Sequence, residues 1–404
     1  MKVLIINQPF GNRGDEAAHK AMMRVFLERM PDATFVVLSL HMAKSLYEST
    51  EVHDERVQYV FLPEMRGYAA TYKFMMRHHL PIWLNFHPLK RKICQFIKGS
   101  DLVVSAPGGI CMGGFMNWHH VYLMQLAKYY KKPIAYYGRS FGPFRDETKE
   151  ERLFKEYSLD IIRYFSYLGI RDAKTEQIAN ELGIRFTSSI DTVFVETPNS
   201  KVPKIDALKQ RYMVFVPNKL IWHYKYANKV SKEMIDAFHK SIVQMIWKND
   251  PDLHIVMLPQ LFGTPGWGDY EYMIELEKSV GDERLIALPD TYDSDQQQAI
   301  IRGAEYVIGA RYHSVVFAIN QERPFIALSY EFKIAGLLAK LGMENRMVDV
   351  ENIWESTEKI IEAEKRIGEM ICNINELGDV SRKQANKIAE KAFEEFVDNY
   401  STLK

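Results

Sequence analysis

Cysteine is scarce in this 404-residue chain, which contains only Cys94, Cys111 and Cys372. The three are far apart, odd in number and without a CxxC pair, which argues against a disulfide framework or a zinc ribbon. Such low usage fits a reducing cytoplasm. No histidine pair has the spacing of a zinc site either, so we expect no resident metal.

Excess charge and long apolar runs are missing as well. Lys plus Arg equals Asp plus Glu at 52 each, and a net charge of zero argues against a general nucleic-acid binder. No apolar run approaches the roughly 18 residues that span a bilayer. The N-terminal stretch MKVLIINQPF is too short for a signal peptide and indicates a first β-strand. We therefore expect a cytoplasmic protein.

Short apolar runs alternate with amphipathic stretches along the chain, a pattern typical of a parallel sheet covered on both faces. The pattern pauses at residues 197–210, a linker-like stretch with two prolines and three lysines, and then restarts. We predict an α/β fold of two Rossmann-like domains facing across a cleft, residues 1–203 and 204–374. A C-terminal helix, 375–404, is expected to pack back across them.

Residues 65–99 break this pattern, because they mix aromatic, methionine and basic side chains and contain no acidic residue. A basic amphipathic insert of this kind can lie on an anionic membrane surface, here the inner face of the membrane. The alternative is a helical hairpin packed on the N-terminal domain, since Lys and Arg stems also cover apolar surface in ordinary proteins.

The stretch GARYHSVVFA (309–318) places Arg311 and His313 after a strand-like run. Residues two apart in an extended segment face the same way, so both side chains are expected to point into the cleft. A helix that begins at Ser314 would add backbone N–H groups, and together these form an anion site. The alternative is an arginine tied to a structural carboxylate and a histidine that caps the helix.

The stretch FGNRGDEAAH (10–19) follows the first strand, and Gly14 and Asn12 permit a tight turn there. Asp15 and Glu16 then open a helix. They either favour the helix dipole or provide a carboxylate at the cleft that can receive a hydroxyl proton. The pattern is not GxGxxG, so the dinucleotide fingerprint is absent.

Two further glycine-containing turns follow strand-like runs. In SAPGGICMGGF (105–115), Gly108 and Gly109 allow a ligand to approach the backbone, or simply form a flexible loop. In YGRSFGPF (137–144), Arg139 either reaches the cleft or pairs on the surface.

The DSD triplet at 293–295 is similar to the metal-binding DxD of some glycosyltransferases. It precedes a helix-like run, and capping of that helix by Ser294 or Asp295 is the simpler interpretation.

Taken in order, these motifs resemble the polysaccharide pyruvyl transferase family over nearly the whole chain. The most specific segment has R-x-H, a helix, x-P, a strand and then Y-x-x-K. The chain departs from the family pattern at three places. It has Arg139 where the family often has Gln, and Thr175 where the family usually has Ser. The stretch 214–223 lacks an Arg that the family often has there, and Lys219 is the available substitute. The motifs that carry the resemblance are NRGDEA (12–17), APGG (106–109), GRSFGPF (138–144), LGIRDAKTEQIANELG (168–183), SIDTVF (189–194), VMLPQ (256–260) and VIGARYHSVVFAINQERPFIALSYEFKIAGLLAKLG (307–342).

The resemblance implies a glycosyltransferase-B-like fold, with the acceptor side on the N-terminal domain and the donor side on the C-terminal one. It implies phosphoenolpyruvate as co-substrate without an obligatory cofactor, and a sugar hydroxyl pair as acceptor, in exopolysaccharide or capsule biosynthesis. The product would be a cyclic pyruvate ketal, with release of phosphate.

In this interpretation His313 is the general acid that protonates the vinyl carbon, and Asp15 or Glu16 is the base. The expected donor contacts are Arg311, Lys219, Lys333 and Ser314. The expected acceptor and loop residues are Asn12, Gly14, Gly108, Gly109, Arg139 and Gln260.

Two other functions stay open. One is a nucleotide-sugar glycosyltransferase on the same plan. The other is a non-catalytic protein that binds glycan or supports polymer assembly, although Arg311, His313, Asp15 and Glu16 at matching positions count against it. Galactose, glucose and N-acetylmannosamine are all candidate acceptor sugars, and the insert at 65–99 suggests a lipid-linked acceptor.

Overall fold

The computed structural model divides the protein into two compact units. The described residues are 1–40, 48–63, 66–81, 86–221, 226, 229–262 and 268–400. The first unit comprises Met1–Phe10, Ala18–Val195 and Asn386–Lys404, and the second comprises Gly11–Ala17 and Glu196–Ala385.

The first unit contains a parallel sheet, and its described strands follow the order β3-β2-β1-β4-β5-β6-β7. The central strands are buried along their whole length because helices cover both faces of the sheet. The strands are β1 (Lys2–Ile6), β2 (Thr34–Ser39), β3 (Val57–Phe61), β4 (Leu102–Ser105), β5 (Ile134–Arg139), β6 (Tyr167–Ile170) and β7 (Thr187–Ser188). The helices that precede residue 195 are α1 (Arg13–Arg29), α2 (Tyr68–Arg77), α3 (Pro88–Gly99), α4 (Trp118–Tyr129), α5 (Lys149–Ile162) and α6 (Ala173–Glu181).

The second unit repeats this plan, with a parallel sheet whose described strands follow the order β10-β9-β8-β11-β12-β13. The strands are β8 (Tyr212–Val216), β9 (His254–Met257), β10 (Leu285–Ala287), β11 (Val307–Gly309), β12 (Phe325–Ser329) and β13 (Met347–Asp349). The helices after residue 195 are α7 (Lys232–Asn249), α8 (Asp269–Val280), α9 (Ser294–Gly303), α10 (Tyr312–Asn320), α11 (Phe332–Leu341), α12 (Thr357–Cys372) and α13 (Lys383–Tyr400).

Strand order reverses once in each sheet, between β1 and β4 in the first and between β8 and β11 in the second. The predicted α/β class with two Rossmann-like domains is confirmed. In open parallel sheets, ligands bind beyond the carboxyl ends of the strands beside such a reversal. The topology therefore marks one candidate position in each unit.

The unit boundaries differ in detail from the predicted ones. The first unit ends at Val195, before the predicted linker, and the short segment Gly11–Ala17 belongs to the second unit. At the other end, Asn386 onward belongs to the first unit, where Phe396 stacks on Phe26 with ring centroids 5.0 Å apart.

Within the insert at 65–99 the structure describes residues 66–81 and 86–99, which contain α2 and α3 and belong to the first unit. Apolar side chains recur at helical spacing in α2, and its buried face includes Tyr68 and Tyr72. Phe74 and Phe86 remain 58% and 71% exposed. Among the helices that the structure describes, none combines the length and apolar character needed to cross a membrane.

Candidate functional site

Arg311 and His313 lie just beyond the end of β11, beside the strand reversal of the second sheet. The predicted local geometry is wrong, because α10 begins at Tyr312 and not at Ser314. Arg311 is the extended N-cap residue and His313 lies in the first helical turn. The turn is tight because Gly309 has no Cβ, and a Cβ there would lie 2.1 Å from the Ser314 hydroxyl.

Ser314 does not offer its N–H to a ligand as predicted. Its backbone N–H and its Oγ both donate to the carbonyl of Arg311, at 3.0 and 2.5 Å. The side chain is fully buried, so Ser314 stabilises the strand-to-helix turn.

Arg311 is held by a buried carboxylate, as the alternative interpretation of this stretch expected, although the sequence did not indicate which carboxylate. Its buried guanidinium pairs with Oδ1 of Asp269, the first residue of α8. The Asp269 Oδ2 accepts from the backbone N–H groups of Gln260 and Leu261, at 3.1 and 3.0 Å. Burial alone would lower the pKa of Arg311, but the Asp269 charge outweighs it and leaves that pKa raised. The guanidinium is therefore fixed at the end of β11 as one half of a buried ion pair.

Gly14 packs directly against the imidazole of His313, which is 7% exposed. A Cβ on Gly14 would lie 1.8 Å from both Cγ and Nδ1 of that ring. Gly14 was expected to permit a turn, but it lies inside α1 and its role is close approach. Asn12 caps α1 instead, since its Oδ1 accepts from the Gly14 N–H at 2.8 Å.

The two acidic residues of α1 differ in what they contact. Glu16 is buried, and its Oε2 accepts from Arg13 Nη1 at 2.5 Å while its Oε1 accepts from the Ser294 N–H at 2.8 Å. Glu16 therefore ties α1 to the start of α9, and both of its oxygens already accept hydrogen bonds. Asp15 is partly exposed, which leaves it the better candidate base.

Arg13 is a structural residue that sequence reasoning missed. Its guanidinium lies 3.8 Å from the centroid of the Phe262 ring, and its Nη2 donates to the Asp290 carbonyl at 2.5 Å. Its spacing of three residues from Glu16 was the available signal, since such pairs meet on a helix surface.

Gln260 lies three residues after the end of β9 and is buried. It connects Arg13 to Asp269. Its carbonyl accepts from the Arg13 N–H at 2.9 Å, and its own N–H donates to Asp269. Its side-chain Nε2 has no hydrogen-bond acceptor within the part of the chain that the structure describes.

The two predicted lysine contacts differ in how they relate to this cluster, because the charge of Glu331, the partner of Lys333, helps to raise the pKa of Arg311. Lys333 Nζ is 3.2 Å from Oε1 of Glu331. Lys219 lines a cavity of about 170 Å³ whose lining includes Lys232 and neither Arg311 nor His313. The observed contacts therefore unite Arg311, His313, Gly14 and Gln260, and Lys333 is connected to Arg311 through Glu331.

Arg139 lies beside the strand reversal of the first sheet and is fully buried. It donates to the carbonyls of Asn7, Ala106 and Gly109, at 2.9, 2.7 and 3.1 Å. Arg139 does not pair on the surface, and it lines a cavity at the strand ends of its own unit that is described below. Arg139 holds the ends of β1 and β4 together.

The two glycines after β4 are placed differently. A Cβ on Gly108 would lie 2.7 Å from the Pro9 ring and 2.9 Å from Arg139 Nη2, whereas a Cβ on Gly109 would meet nothing within 4 Å. Gly108 therefore allows Arg139 to approach the loop, and Gly109 contributes its carbonyl.

The DSD triplet is a helix cap, as the simpler interpretation held, but the capping residue is Asp293. Its side chain accepts from the Gln296 N–H at 2.8 Å, and Gln296 returns a bond to the Asp293 N–H at 3.0 Å. No group of three His, Cys, Asp or Glu side chains within the described ranges is arranged to hold a metal ion.

A cavity of about 240 Å³ opens at the carboxyl ends of β1, β2 and β5 in the first unit. Two adjacent histidines, His119 and His120, form part of its wall. Sequence reasoning assigned them no role, and no spacing pattern marked them. The other lining residues are Asn7, Gln8, Pro9, Phe10, Leu38, Leu40, Cys111, Asn117, Leu123 and Arg139.

Comparison with known proteins gives both a sequence family and a fold. Residues 12–331 match the family described as polysaccharide pyruvyl transferase. The amylovoran biosynthesis protein AmsJ of Erwinia amylovora is 23% identical over 392 residues, covering 88% of this chain and 90% of that protein.

Solved structures resemble the chain over its full length. Staphylococcus aureus MnaA, solved with UDP, has a TM-score of 0.58 at 13% identity, covering 100% of this chain and 97% of that one. The UDP-GlcNAc 2-epimerase of Methanocaldococcus jannaschii has a TM-score of 0.56 at 15% identity, covering 98% and 100%. At such identities the likeness shows the fold alone, which is glycosyltransferase-B-like as predicted.

Proposed function

The chain belongs to the polysaccharide pyruvyl transferase family, and we propose that it transfers pyruvate from phosphoenolpyruvate to two hydroxyls of a sugar in an exopolysaccharide or capsule precursor. The product is a cyclic pyruvate ketal, and phosphate leaves. Phosphoenolpyruvate is the co-substrate, and no further cofactor is required. The observation that supports this proposal is the buried pair of Arg311 and His313 beside the strand reversal of the second sheet.

The donor is a dianionic or trianionic molecule with a phosphate and a carboxylate, so it needs fixed positive charge. Arg311 supplies a guanidinium whose fork geometry matches either anionic group, and its charge is shared with Asp269. The N-terminus of α10, which starts next to Arg311, adds a partial positive charge.

The proposed chemistry uses one acid and one base. A sugar hydroxyl attacks carbon two of phosphoenolpyruvate while His313 protonates carbon three, and Asp15 takes the hydroxyl proton. The second hydroxyl then forms its bond to carbon two as the bond to the phosphate oxygen breaks. Its proton returns to His313, and the proton on Asp15 leaves with phosphate. Both residues thus end in their starting states.

Binding of the donor is tested first, by thermal shift with phosphoenolpyruvate and a panel of nucleotide sugars. A ligand that binds only the folded state raises the melting temperature. We expect phosphoenolpyruvate to stabilise the wild type and His313→Asn. The double variant Arg311→Met/Asp269→Asn should abolish the shift. Both residues are changed so that no buried carboxylate is left without its cation. Arg366→Met, on the surface of α12, is the matched control.

Turnover is tested next, by phosphate release with sugar acceptors. His313→Asn should lose most turnover while it keeps its phosphoenolpyruvate shift. Near-normal turnover would end the assignment of His313. A shift with a nucleotide sugar, combined with none from phosphoenolpyruvate, would instead favour a glycosyltransferase. Full biological activity of both variants would favour a non-catalytic glycan-binding protein.

We also propose peripheral membrane contact through residues 65–99, which suits a lipid-linked acceptor. The exposed Phe74 and Phe86 and the absence of acidic residues in the segment support it. Because Tyr68 and Ile93 belong to the core, deletion of the helices would disrupt the fold. Binding of Phe74→Ser/Phe86→Ser to phosphatidylglycerol vesicles is therefore the test, with the exposed Phe115→Ser as control. Unchanged binding of the double variant would refute the contact.

A further inference from the structure

The first turn of α1 is fastened within the second unit by two buried side chains, those of Arg13 and Glu16. We infer that they are positioning residues for the proposed reaction, which hold the candidate base Asp15 in a fixed place relative to the candidate acid His313. The inference rests on the proposed function, since that function makes Asp15 a base. It adds that the base is part of the second unit, although it follows the first strand of the first unit along the chain.

The backbone at the start of α1 is bridged to the segment that follows β9. The Arg13 N–H donates to the Gln260 carbonyl at 2.9 Å. The Phe262 N–H donates to the Gly11 carbonyl at 2.8 Å. Gly11 has a φ of 74°, and a Cβ there would lie 2.8 Å from the Phe262 carbonyl oxygen, so the bridge requires glycine. The second unit therefore sets the path by which the chain enters α1.

The side chains of Arg13 and Glu16 form a buried pair, which we call the clip. They are 5% and 2% exposed, and the pair is bonded on both sides. The Arg13 guanidinium lies against the Phe262 ring and donates to the Asp290 carbonyl, while Glu16 accepts from the Ser294 N–H. A buried ion pair with several further partners is held in one geometry, because any displacement leaves buried polar groups unpaired.

The clip encloses the two residues that concern the proposed chemistry. An α-helix has 3.6 residues per turn, so residues 13–16 occupy about one turn, and fixing its first and last residues fixes the two between them. Of these two, Gly14 packs on the His313 imidazole and Asp15 is the candidate base. A displacement of the turn would therefore move the base and release the contact on His313 at the same time.

The segment that follows β9 is tied to the donor cation as well. One oxygen of Asp269 accepts from the N–H groups of Gln260 and Leu261, and the other pairs with Arg311. The first turn of α1 is bonded to the same segment through the Gln260 carbonyl. Base, acid and donor cation are thus connected by a short series of contacts within one unit.

The proposed chemistry gives this arrangement a purpose. The acceptor hydroxyl loses its proton while carbon three of phosphoenolpyruvate gains one, so the base and the acid must keep a fixed separation. A misplacement of about 1 Å can reduce such a rate about 100-fold. A tie that only stabilised the fold would lower the melting temperature and leave the turnover of the folded enzyme unchanged.

The test removes the clip with the double variant Arg13→Met/Glu16→Gln, in which no buried charge is left without its partner. Arg346→Met is the matched control, and it lies just before β13, at the amino end of the strand. Arg346 is also buried, also donates to backbone carbonyls and also lies over a phenylalanine ring. Arg13→Lys is the conservative variant, since it keeps the charge pair with Glu16.

The first readout is steady-state phosphate release from phosphoenolpyruvate, measured below each melting temperature. The clip variant should lower kcat by about 10- to 100-fold and change the KM for phosphoenolpyruvate by less than about twofold, because Arg311 and His313 are intact. Arg13→Lys should recover part of kcat. In the Asp15→Asn background the clip variant should cost less than about a further threefold, because the base that it positions is already absent. Arg346→Met should lower the melting temperature and keep kcat.

The second readout needs no turnover. In protein labelled with ¹⁵N-histidine, the His313 signal is identified by its loss in His313→Asn. That signal should move in the clip variant and stay in place in Arg346→Met, because only the clip holds Gly14 against the ring.

Several results would overturn the inference. They are a clip variant with wild-type kcat, a loss in the Asp15→Asn background as large as in the wild type, a rise in KM that accounts for the loss, and an equal loss of kcat in Arg346→Met. A wild type with neither a phosphoenolpyruvate shift nor phosphate release would refute the proposed function and with it the role of Asp15. An unmoved His313 signal in the clip variant of an active enzyme would refute this inference alone.

Discussion

Replacing Gly14 by alanine should disable the site through His313, although Gly14 itself has no side chain. The new methyl group would lie 1.8 Å from Cγ and Nδ1 of His313, whereas ordinary contact begins near 3.4 Å. The ring must therefore retreat by about 1.6 Å, or α1 must shift by a similar distance. Either movement takes His313 out of its observed position.

The magnitude follows from what such a displacement removes. A misplacement of about 1 Å at a reacting group can reduce the rate about 100-fold, and a lost proton transfer reduces it by about 100- to 10,000-fold. We expect Gly14→Ala to lower turnover at least about 100-fold. The free energy of unfolding should fall by about 1–3 kcal/mol, the usual effect of overpacking.

The assay is phosphate release from phosphoenolpyruvate, combined with urea unfolding, in a double-mutant cycle with His313→Ala. Since His313→Ala removes the ring that the new methyl group would meet, Gly14→Ala should cause little further loss of stability or turnover in that background. Gly336→Ala in α11 is the control, because its methyl group meets nothing within 4 Å and should add about 0.5–1 kcal/mol. Turnover of Gly14→Ala within about twofold of the wild type would refute the reasoning.

Three further predictions concern residues away from that contact. Asp15→Asn should lower turnover by about 100-fold with little change in the free energy of unfolding in urea. Glu16→Gln should lower that free energy by about 1–3 kcal/mol, because both Glu16 oxygens accept hydrogen bonds. The opposite pattern would reverse the roles of the two residues. Arg139→Met should lower the free energy of unfolding by about 3 kcal/mol or more in urea, since it removes the donors to three carbonyls that are wholly or partly buried. A loss under about 1 kcal/mol would contradict this. Burial lowers the pKa of His19 and of His239 to about 3, so each is neutral in the folded protein. The free energy of unfolding should therefore be at its full value above pH 6.5 and should fall by about 1.4 kcal/mol per pH unit for each residue as the pH drops from 6.5 towards 3. A flat profile of that free energy between about pH 7 and 5 would exclude this.

The architecture was predictable because it depends on local composition. Apolar runs such as that of β11 must be buried, and the amphipathic stretches between them must cover a sheet, so alternation implies two parallel sheets. The same logic located Arg311 and His313 at a strand end. It placed the start of α10 two residues late, because the tight turn depends on Gly309 accepting the Ser314 side chain against it.

The pairings within the site were not predictable. Arg311 meets Asp269, 42 positions earlier, and Glu16 meets Ser294, 278 positions later. A single sequence shows that a buried charge needs a partner but does not show which one. Strand order decides this, because crossovers bring the carboxyl ends of distant strands to one edge of a sheet.

The sequence by itself determined the class of fold, the family, and the presence of a cation and a titratable ring at one strand end, since each follows from residue type and short-range spacing. Only the tertiary structure decided that Gly14 touches His313, that Glu16 and Arg139 are structural ties, and that His119 and His120 share a cavity wall. Those outcomes depend on which side chains the crossovers bring within a few ångströms of one another, and spacing along a single chain does not encode that distance.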